Sequence, residues 1–255
     1  MIDIHCHILS NIDDGSTSMQ ESISLLKKAM DAGVEEIILT PHFILGSKYS
    51  VERKEKEKRF QKLLEEVKKQ NLTVKLHIGN EVFYENNLYS LLKEEKINTL
   101  NNSRYLLFEI PRHNIVNGLE DTLYNLKMKN ISLILAHPER YADFQKHPEK
   151  IMKLKEQDLL FQCNIGSFYG CYGKEAQKLV KLLASHHMID FLATDIHHEK
   201  EDIYDYYERL KNDHILDKEY YEKLTQENPK KVINNEIIES QDYTKFKKNL
   251  FGKWS

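Results

Sequence analysis

The residues best suited to chemistry are nine histidines and carboxylates, most of which follow short apolar segments of the sequence. They are His5, His7, Asp14, His42, Glu81, Glu109, His137, Asp195 and His197. Imidazole nitrogens and carboxylate oxygens are common ligands of divalent metals, and one ion takes about four to six of them. The set therefore predicts a cluster of two or three metal ions in which some carboxylates bridge.

The spacing of four of these residues supports a shared site. His5 and His7 are two positions apart, and so are Asp195 and His197. Because side chains alternate between the two faces of a strand, both members of each pair should point the same way. A single histidine or carboxylate at a strand end is more often a hydrogen-bonded structural residue, so the prediction rests on the whole set.

Two carboxylates need particular explanation. Glu109 interrupts the apolar segment 106–110, where an ionised carboxylate is costly unless a metal or a cationic side chain compensates it. Asp13-Asp14-Gly15 forms a turn that can return a carboxylate over the end of the first strand. Spacing alone does not decide between Asp13 and Asp14. His113, in the loop after Glu109, is a weaker candidate for the rim of the site.

Seven short apolar or β-branched segments provide the strands that must position these ligands. They are residues 2–4, 37–40, 74–78, 105–110, 131–136, 159–165 and 189–194. Most are continuously apolar and are separated by helical patterns, which is typical of a buried parallel sheet. Ligands from many strand ends must meet, and only a closed barrel brings all its carboxyl ends to one mouth. The sequence therefore predicts a distorted α/β barrel rather than an open doubly wound sheet.

The helices between the strands are marked by their ends. Ser18 and Glu21 fit a capping box, and Gly33 fits the C′ position of the same helix. Apolar residues keep helical spacing within the charged segment 51–70. Asn228-Pro229 predicts a further helix start, with asparagine as the N-cap and proline in the first turn.

Length and composition indicate one domain. At 255 residues, with 40% apolar residues, the chain can form a single barrel over residues 1–242, followed by a basic tail over 243–255. The balance of 37 basic and 40 acidic residues gives a net charge of −3 and no reason to expect nucleic acid as a partner. No apolar run approaches the ~20 residues of a membrane span. The N-terminus, which has no Lys or Arg before Lys27, does not fit a secretory signal, so we expect a cytoplasmic protein.

The ligand positions resemble the successive motifs of the PHP superfamily of metal-dependent phosphoesterases. The motifs are His5-Cys-His7, Thr40-Pro-His42, Glu81, Glu109, His137 and Asp195-Ile-His197. Four further segments are most similar to bacterial tyrosine phosphatases of capsule and exopolysaccharide systems. They are Met1-Ile-Asp-Ile-His-Cys-His7, Asp13-Asp-Gly15, Asn102-Ser-Arg-Tyr105 and His137-Pro-Glu-Arg-Tyr141. The similarity spans roughly residues 1 to 235.

This resemblance implies a (β/α)₇ TIM-like barrel that holds two to three divalent metals, with manganese favoured over iron or zinc. It implies one metal among His5, His7, Glu81 and Asp195, a second among Glu81, Glu109 and His137, and a third among Asp14, His42 and His197. It also implies that Arg140 faces the substrate phosphate. His42 and His197 are the side chains that we expect to supply a proton to the leaving group.

The implied reaction is hydrolysis of phosphotyrosine on a protein by a metal-bound hydroxide. The implied partner is a membrane-associated tyrosine autokinase that controls polysaccharide synthesis or export. A cysteine-nucleophile mechanism needs Cys-x5-Arg. That spacing is absent, because Ile12, Tyr169 and Gln177 stand six residues after the three cysteines.

Two alternatives remain open from the sequence. A small-molecule phosphatase of the same fold, such as one for histidinol phosphate, would have a tight and closed mouth, whereas a phosphoprotein substrate needs an open and basic one. A metal-stabilised module could instead bind phosphotyrosine without turning it over.

Overall fold

The computed structural model describes residues 1–112, 118–239, 242–248 and 254. Within these residues the strands are β1 (Ile2–Cys6), β2 (Glu36–Leu39), β3 (His42–Phe43), β4 (Lys75–Ile78), β5 (Glu81–Phe83), β6 (Tyr105–Glu109), β7 (Ser132–Ala136), β8 (Leu160–Asn164) and β9 (Phe191–Ala193). The α-helices are α1 (Met19–Asp31), α2 (Arg53–Lys69), α3 (Leu88–Lys93), α4 (Leu119–Lys127), α5 (Ala142–Lys146), α6 (Glu149–Lys155), α7 (Lys174–Ser185), α8 (Asp205–Asn212), α9 (Lys218–Glu222) and α10 (Asn228–Ile233).

All paired strands run parallel, in two sheets of order β1-β2-β4 and β3-β5-β6-β7-β8-β9. Only two residues separate β2 from β3, and only two separate β4 from β5. Each of these two pairs is therefore one interrupted strand, and the nine segments occupy seven positions.

The ring closes between the first and last strand positions. Cys6 forms a parallel bridge with Ile196, and the His7 amide donates to the Ile196 carbonyl at 2.9 Å. The Asp195 amide donates to the His5 carbonyl at 2.8 Å. These bonds confirm the predicted α/β barrel, and they bring the first and last candidate ligands side by side.

The two interruptions have local causes and were not predicted. Pro41 has no amide hydrogen to continue a sheet. A Cβ on Gly79 would lie 2.8 Å from Leu100 Cδ2 and 3.1 Å from Leu100 Cα, so a larger residue here would have to displace Leu100. The Asn80 side chain ties the interruptions together by donating to the Pro41 carbonyl at 2.9 Å. The segments β3 and β5 beyond them are too short to show any periodic pattern in the sequence.

The structure confirms some of the predicted helix ends and contradicts others. Ser18 accepts from the Glu21 amide at 3.1 Å, as a capping residue should, and Gly33 has a positive φ of 83° at the end of α1. The Glu21 carboxylate, however, bonds to the amide and hydroxyl of Thr17 rather than to Ser18. The prediction of an N-cap at Asn228 is wrong. Asn228 has helical backbone angles and continues a π-helical turn over Lys223–Glu227.

The core has two layers. Ile4, Ile38, Leu107, Ile134 and Phe191 come from strands around the ring and pack together as the interior of the barrel. A larger cluster fills the space between the strands and the surrounding helices. Among the described helices, none combines the length and apolar character that crossing a bilayer requires.

Part of the predicted tail contacts the body of the domain. Phe246 is 1% exposed and packs edge-on against His186 and Trp254. The Thr244 amide donates to the His186 carbonyl at 3.0 Å. Residues 240, 241, 249–253 and 255 lie outside the described residues. The boundary between domain and tail at residue 242 stays a prediction.

Candidate metal centre

The candidate ligands gather at the carboxyl ends of the strands. Eight of them form three overlapping groups, within each of which one ligand atom per residue lies no more than 4.8 Å from the others. The groups are His5, His7, Glu81 and Asp195; His7, Asp14, His42 and His197; and His42, Glu81 and Glu109. The ninth candidate, His137, places Nε2 2.9 Å from Glu81 Oε1 and 4.0 Å from Glu109 Oε2.

One carboxylate oxygen lies at the centre of this arrangement. Glu81 Oε2 is 3.3 Å from the Nε2 atoms of both His5 and His7, and 3.0 Å from His42 Nδ1. It is buried and has no hydrogen-bond partner among the described residues. The Nε2 atoms of His5 and His7 also face each other at 3.2 Å. Several electron-pair donors converging on one buried spot suit a bound cation, so the residues present fit a metal centre.

The electrostatics of the cluster show how strongly it attracts positive charge. Burial lowers the pKa of His5, but the carboxylates of Glu81 and Asp195 outweigh burial and raise this pKa to about 9. Burial likewise opposes ionisation of Glu81, but His5 and His42 hold its pKa well below the usual range. Burial and the neighbouring His7 lower the pKa of His197 to about 4, so its imidazole is neutral at pH 7.

Adjacent side chains orient the two N-terminal histidines. Gln162 Oε1 lies 2.6 Å from His5 Nδ1 and accepts from it when Nε2 faces the cluster. Asp13 Oδ2 accepts from His7 Nδ1 at 2.8 Å and from the His42 amide at 3.0 Å. Partners of this kind fix the tautomer and ring orientation of metal-binding histidines.

The two aspartates of the N-terminal turn therefore differ in position. Asp13 supports His7 from behind, whereas Asp14 Oδ1 lies 3.5 Å from His42 Nε2 and 3.8 Å from His197 Nε2. This geometry favours Asp14 as the ligand. The turn requires glycine at its end, because a Cβ on Gly15 would lie 2.0 Å from the His7 carbonyl oxygen.

Two ligand positions use an uncommon backbone conformation. His137 has φ 36° and Asp195 has φ 53°, both in the left-handed region that residues other than glycine rarely adopt. The His137 amide donates to the Gln162 carbonyl at 2.7 Å, as the Asp195 amide does to His5. Tertiary hydrogen bonds thus hold both residues in conformations that cost about 1–3 kcal/mol each and that cluster at functional sites.

Sequence reasoning missed three polar residues behind the cluster. Glu139 is fully buried and its Oε1 accepts from the Asn164 amide at 2.9 Å and from Ser167 Oγ at 2.6 Å. Asn164 Nδ2 donates to Asp195 Oδ2 at 2.7 Å. Gln162 and Asn164 interrupt an otherwise apolar strand, the same signal that singled out Glu109, so this pattern was available in the sequence.

A surface cavity of about 430 Å³ opens beside the cluster. Asp14, Arg140, Tyr172, Asp195 and His197 are among the residues that line it. Arg140 Nη1 donates to Asp195 Oδ2 at 2.5 Å. Among the described residues that line this cavity, Arg140 is the only lysine or arginine, so the expected basic mouth is not found. The rim candidate His113 lies outside the described residues.

Comparison with known proteins agrees with this fold. A family model described as "Capsular polysaccharide synthesis, CpsB/CapC" matches residues 1–234. The chain belongs to the CpsB/CapC family. It is 32% identical to the CapC protein of Staphylococcus aureus and 29% identical to the tyrosine-protein phosphatase YwqE of Bacillus subtilis strain 168. Each comparison covers 99% of both chains.

A solved structure extends the similarity within this CpsB/CapC family. It comes from work on YwqE of Bacillus subtilis and CpsB of Streptococcus pneumoniae, described as unique metal-dependent tyrosine phosphatases. It superposes with a TM-score of 0.85 at 26% sequence identity, over 96% of this chain and 100% of the other. The resemblance to capsule-system tyrosine phosphatases seen in the sequence motifs is therefore confirmed.

Proposed function

We propose that this protein is a metal-dependent phosphomonoesterase that hydrolyses phosphotyrosine on proteins. The observation that carries the proposal is the convergence of histidines and carboxylates around Glu81 Oε2, beside a cavity into which Arg140 extends. Membership of the CpsB/CapC family, whose relative YwqE is named a tyrosine-protein phosphatase, supports phosphotyrosine as the substrate.

The proposed ligand sets keep the grouping that the family resemblance implies. His5, His7, Glu81 and Asp195 would hold one ion, and their ligand atoms form one of the compact groups. Glu109 and His137 would join Glu81 around a second, and Asp14, His42 and His197 would hold a third. His7 lies within reach of this third group as well, which suits a histidine placed between two ions.

Divalent ions bound at these sites would neutralise phosphate oxygens and lower the pKa of a coordinated water, which supplies the nucleophile. Mixed histidine and carboxylate ligands suit manganese, iron or zinc, and we propose manganese.

Arg140 would bind the non-bridging phosphate oxygens. One of its nitrogens already donates to Asp195, and the guanidinium has five N–H donors in a planar fork, so others remain for the substrate. Phosphate binding by Arg140 would thus use an edge of the guanidinium that faces the cavity.

His42 or His197 would supply a proton to the leaving group only in a state in which it does not bind metal, because a metal-bound imidazole has no free lone pair for proton transfer. His197 Nδ1 lies 2.9 Å from the Asp195 carbonyl, which only accepts, so Nδ1 carries the proton and Nε2 presents a lone pair. That tautomer suits a metal ligand. The demand on any proton donor is modest, since a tyrosine phenolate with a pKa of about 10 is a better leaving group than an alkoxide.

The physiological substrate is proposed to be a tyrosine autokinase associated with the membrane that controls polysaccharide synthesis or export. Membership of the CpsB/CapC family supports a role in capsular polysaccharide synthesis. The kinase partner rests on the resemblance alone, and a cytoplasmic location stays an expectation from the sequence. No observation favours histidinol phosphate as the substrate, or binding without turnover.

Phosphate release from a phosphotyrosine peptide by the manganese-loaded protein tests the proposal. Histidinol phosphate and a phosphoserine peptide of the same sequence serve as controls for substrate class. We expect preference for phosphotyrosine, loss of activity with a chelator, and recovery when manganese is restored. Hydrolysis of histidinol phosphate alone, or activity that survives chelation, would contradict it.

A further inference from the structure

We propose that Tyr172 is a positioning residue that holds the Arg140 guanidinium in the plane from which it grips the substrate phosphate. The inference deepens the proposed function and rests on it, because it requires that Arg140 binds phosphate. Tyr172 itself would act through Arg140 and not on the reacting atoms.

The contact between the two side chains is direct. The guanidinium carbon of Arg140 lies 4.3 Å from the centre of the Tyr172 ring, within the range of a cation–π interaction. Both residues line the cavity beside the candidate metal centre. The Arg140 side chain is 15% exposed, so its contact with the ring is largely shielded from water, where such interactions are strongest.

Arg140 is therefore held on two sides. Tyr172 covers a face of the guanidinium, while Asp195 Oδ2 accepts from its Nη1. A face contact and an edge contact together define the guanidinium plane. The remaining N–H groups lie along the edges, which is where bidentate binding of a phosphate takes place.

The protein also fixes Tyr172. The ring is half-buried, and its contact with Arg140 lies beside Asn164, whose Nδ2 donates to Asp195 Oδ2 at 2.7 Å. Gly170 and Gly173 flank the segment that carries Tyr172, with φ values of 82° and 93°. Most other residues avoid these conformations, so the two glycines provide the turn that presents the ring to the mouth.

Without Tyr172, Arg140 would retain only its contact with Asp195, an acidic side chain that we also propose as a metal ligand. A long and flexible arginine then loses the surface that limits its rotation. We expect weaker phosphate binding, because part of the binding energy would have to reorder the side chain.

Inhibition by inorganic phosphate, measured with the manganese-loaded enzyme, tests this role. Tyr172→Leu should raise the inhibition constant roughly tenfold, the loss of a shielded cation–π contact. Tyr172→Phe, which keeps the ring, should recover most of that loss. In an Arg140→Ala background, Tyr172→Leu should have no further effect, since the residue acts only through the guanidinium.

A matched control lies three residues before Tyr172 and outside the cavity. Arg209 lies 4.3 Å from the ring centre of Tyr169, the same distance as in the proposed pair, but neither residue lines the mouth cavity. Tyr169→Leu should leave phosphate inhibition unchanged. Manganese content and melting temperature of each variant separate a loss of positioning from a loss of structure.

The outcomes distinguish the two proposals. If Arg140→Ala leaves phosphate inhibition unchanged, the proposed role of Arg140 fails first. If Arg140→Ala weakens it but Tyr172→Leu does not, the inference about Tyr172 is overturned while the proposed function stands. Equal effects of Tyr172→Leu with and without Arg140 would also overturn it.

Discussion

Glu81 lies within 3.3 Å of four histidines of the candidate metal centre. Its Oε2 faces His5, His7 and His42, and its Oε1 lies 2.9 Å from His137 Nε2. The carboxylate oxygens and the imidazole nitrogens face each other with lone pairs, and two things can lie between them. Either the histidines take up protons, or metal ions bind between the groups. Protons and metals therefore compete for the same nitrogen atoms.

This competition predicts how metal affinity varies with pH. The pKa of His5 without metal is about 9, so at neutral pH a metal must displace its proton. Affinity for manganese should therefore keep rising between pH ~7 and pH ~9, whereas a histidine with the ordinary pKa of about 6.5 would already be deprotonated. Titrations of the metal-stripped protein across this range measure the effect.

Calorimetry in two buffers of different ionisation enthalpy gives an independent check, because it counts the protons released on binding. We expect proton release at pH ~7 that declines towards pH ~9. An affinity that is constant above pH ~7, with no proton release, would show that the carboxylates do not keep His5 protonated above neutral pH.

The residue types of the centre were predictable, but only some of the side chains that support them were. Histidines and carboxylates at strand ends stand out in a sequence. The choice between Asp13 and Asp14 cannot be read from the sequence, because it depends on how Gly15 packs against His7. Glu139 is similarly hidden, since its partners come from a different strand and its neighbours in sequence look like an ordinary turn.

At the scale of elements, the interruptions of two strands set the position of His42 and Glu81. A buried lysine lies behind them. Lys56, on α2, is 2% exposed and donates to the Asn80 side chain, which in turn donates to the Pro41 carbonyl. Through these hydrogen bonds, the amino group of Lys56 connects α2 to both strand interruptions.

Burial and the neighbouring Arg53 lower the pKa of Lys56 to about 7, while an unfolded lysine keeps a pKa of about 10.4. Between these values the unfolded chain binds a proton that the folded chain does not, so stability rises with pH across this window and is lost as pH falls to ~7. Lys56→Met should remove this pH-dependent part of the free energy of unfolding. Relative to the variant, the wild type should gain up to about 2.5 kcal/mol between pH ~7 and pH ~9.

Urea unfolding of both proteins in chelator, at the two pH values, measures this difference. Lys58→Met is the matched control, because Lys58 lies on the same helix but is exposed. Parallel pH dependence of wild type and Lys56→Met would show that the buried amine does not change its protonation in this range.

The sequence predicted the long buried strands well and the short strands not at all. Long apolar segments such as 131–136 correspond closely to strands, here Ser132–Ala136, because continuous burial leaves a strong pattern. The short β3 and β5 leave none. The helix predicted at Asn228-Pro229 is found as α10, but Asn228 is not its N-cap, because α10 continues directly from the π-helical turn before it.

At the scale of the whole molecule, the metal centre depends on closure of the ring. Its candidate ligands run from His5 to His197, and the bonds between β1 and the segment after β9 bring these two ends together. The need for distant ligands to converge is what predicted a closed barrel from the sequence. The contacts of Phe246 with His186 and Trp254 had no such signal, because nothing in the tail shows where it packs.

Titration of manganese into the metal-stripped protein, with bound metal and phosphotyrosine hydrolysis followed together, tests the multi-metal centre most directly. Eight candidate ligands in three overlapping groups, with His137 beside Glu81 as the ninth, predict that activity stays low after the first equivalent and reaches its maximum only at two or three bound ions. Full activity with a single bound ion, or in the presence of chelator, would contradict a cooperative metal cluster as the catalytic centre.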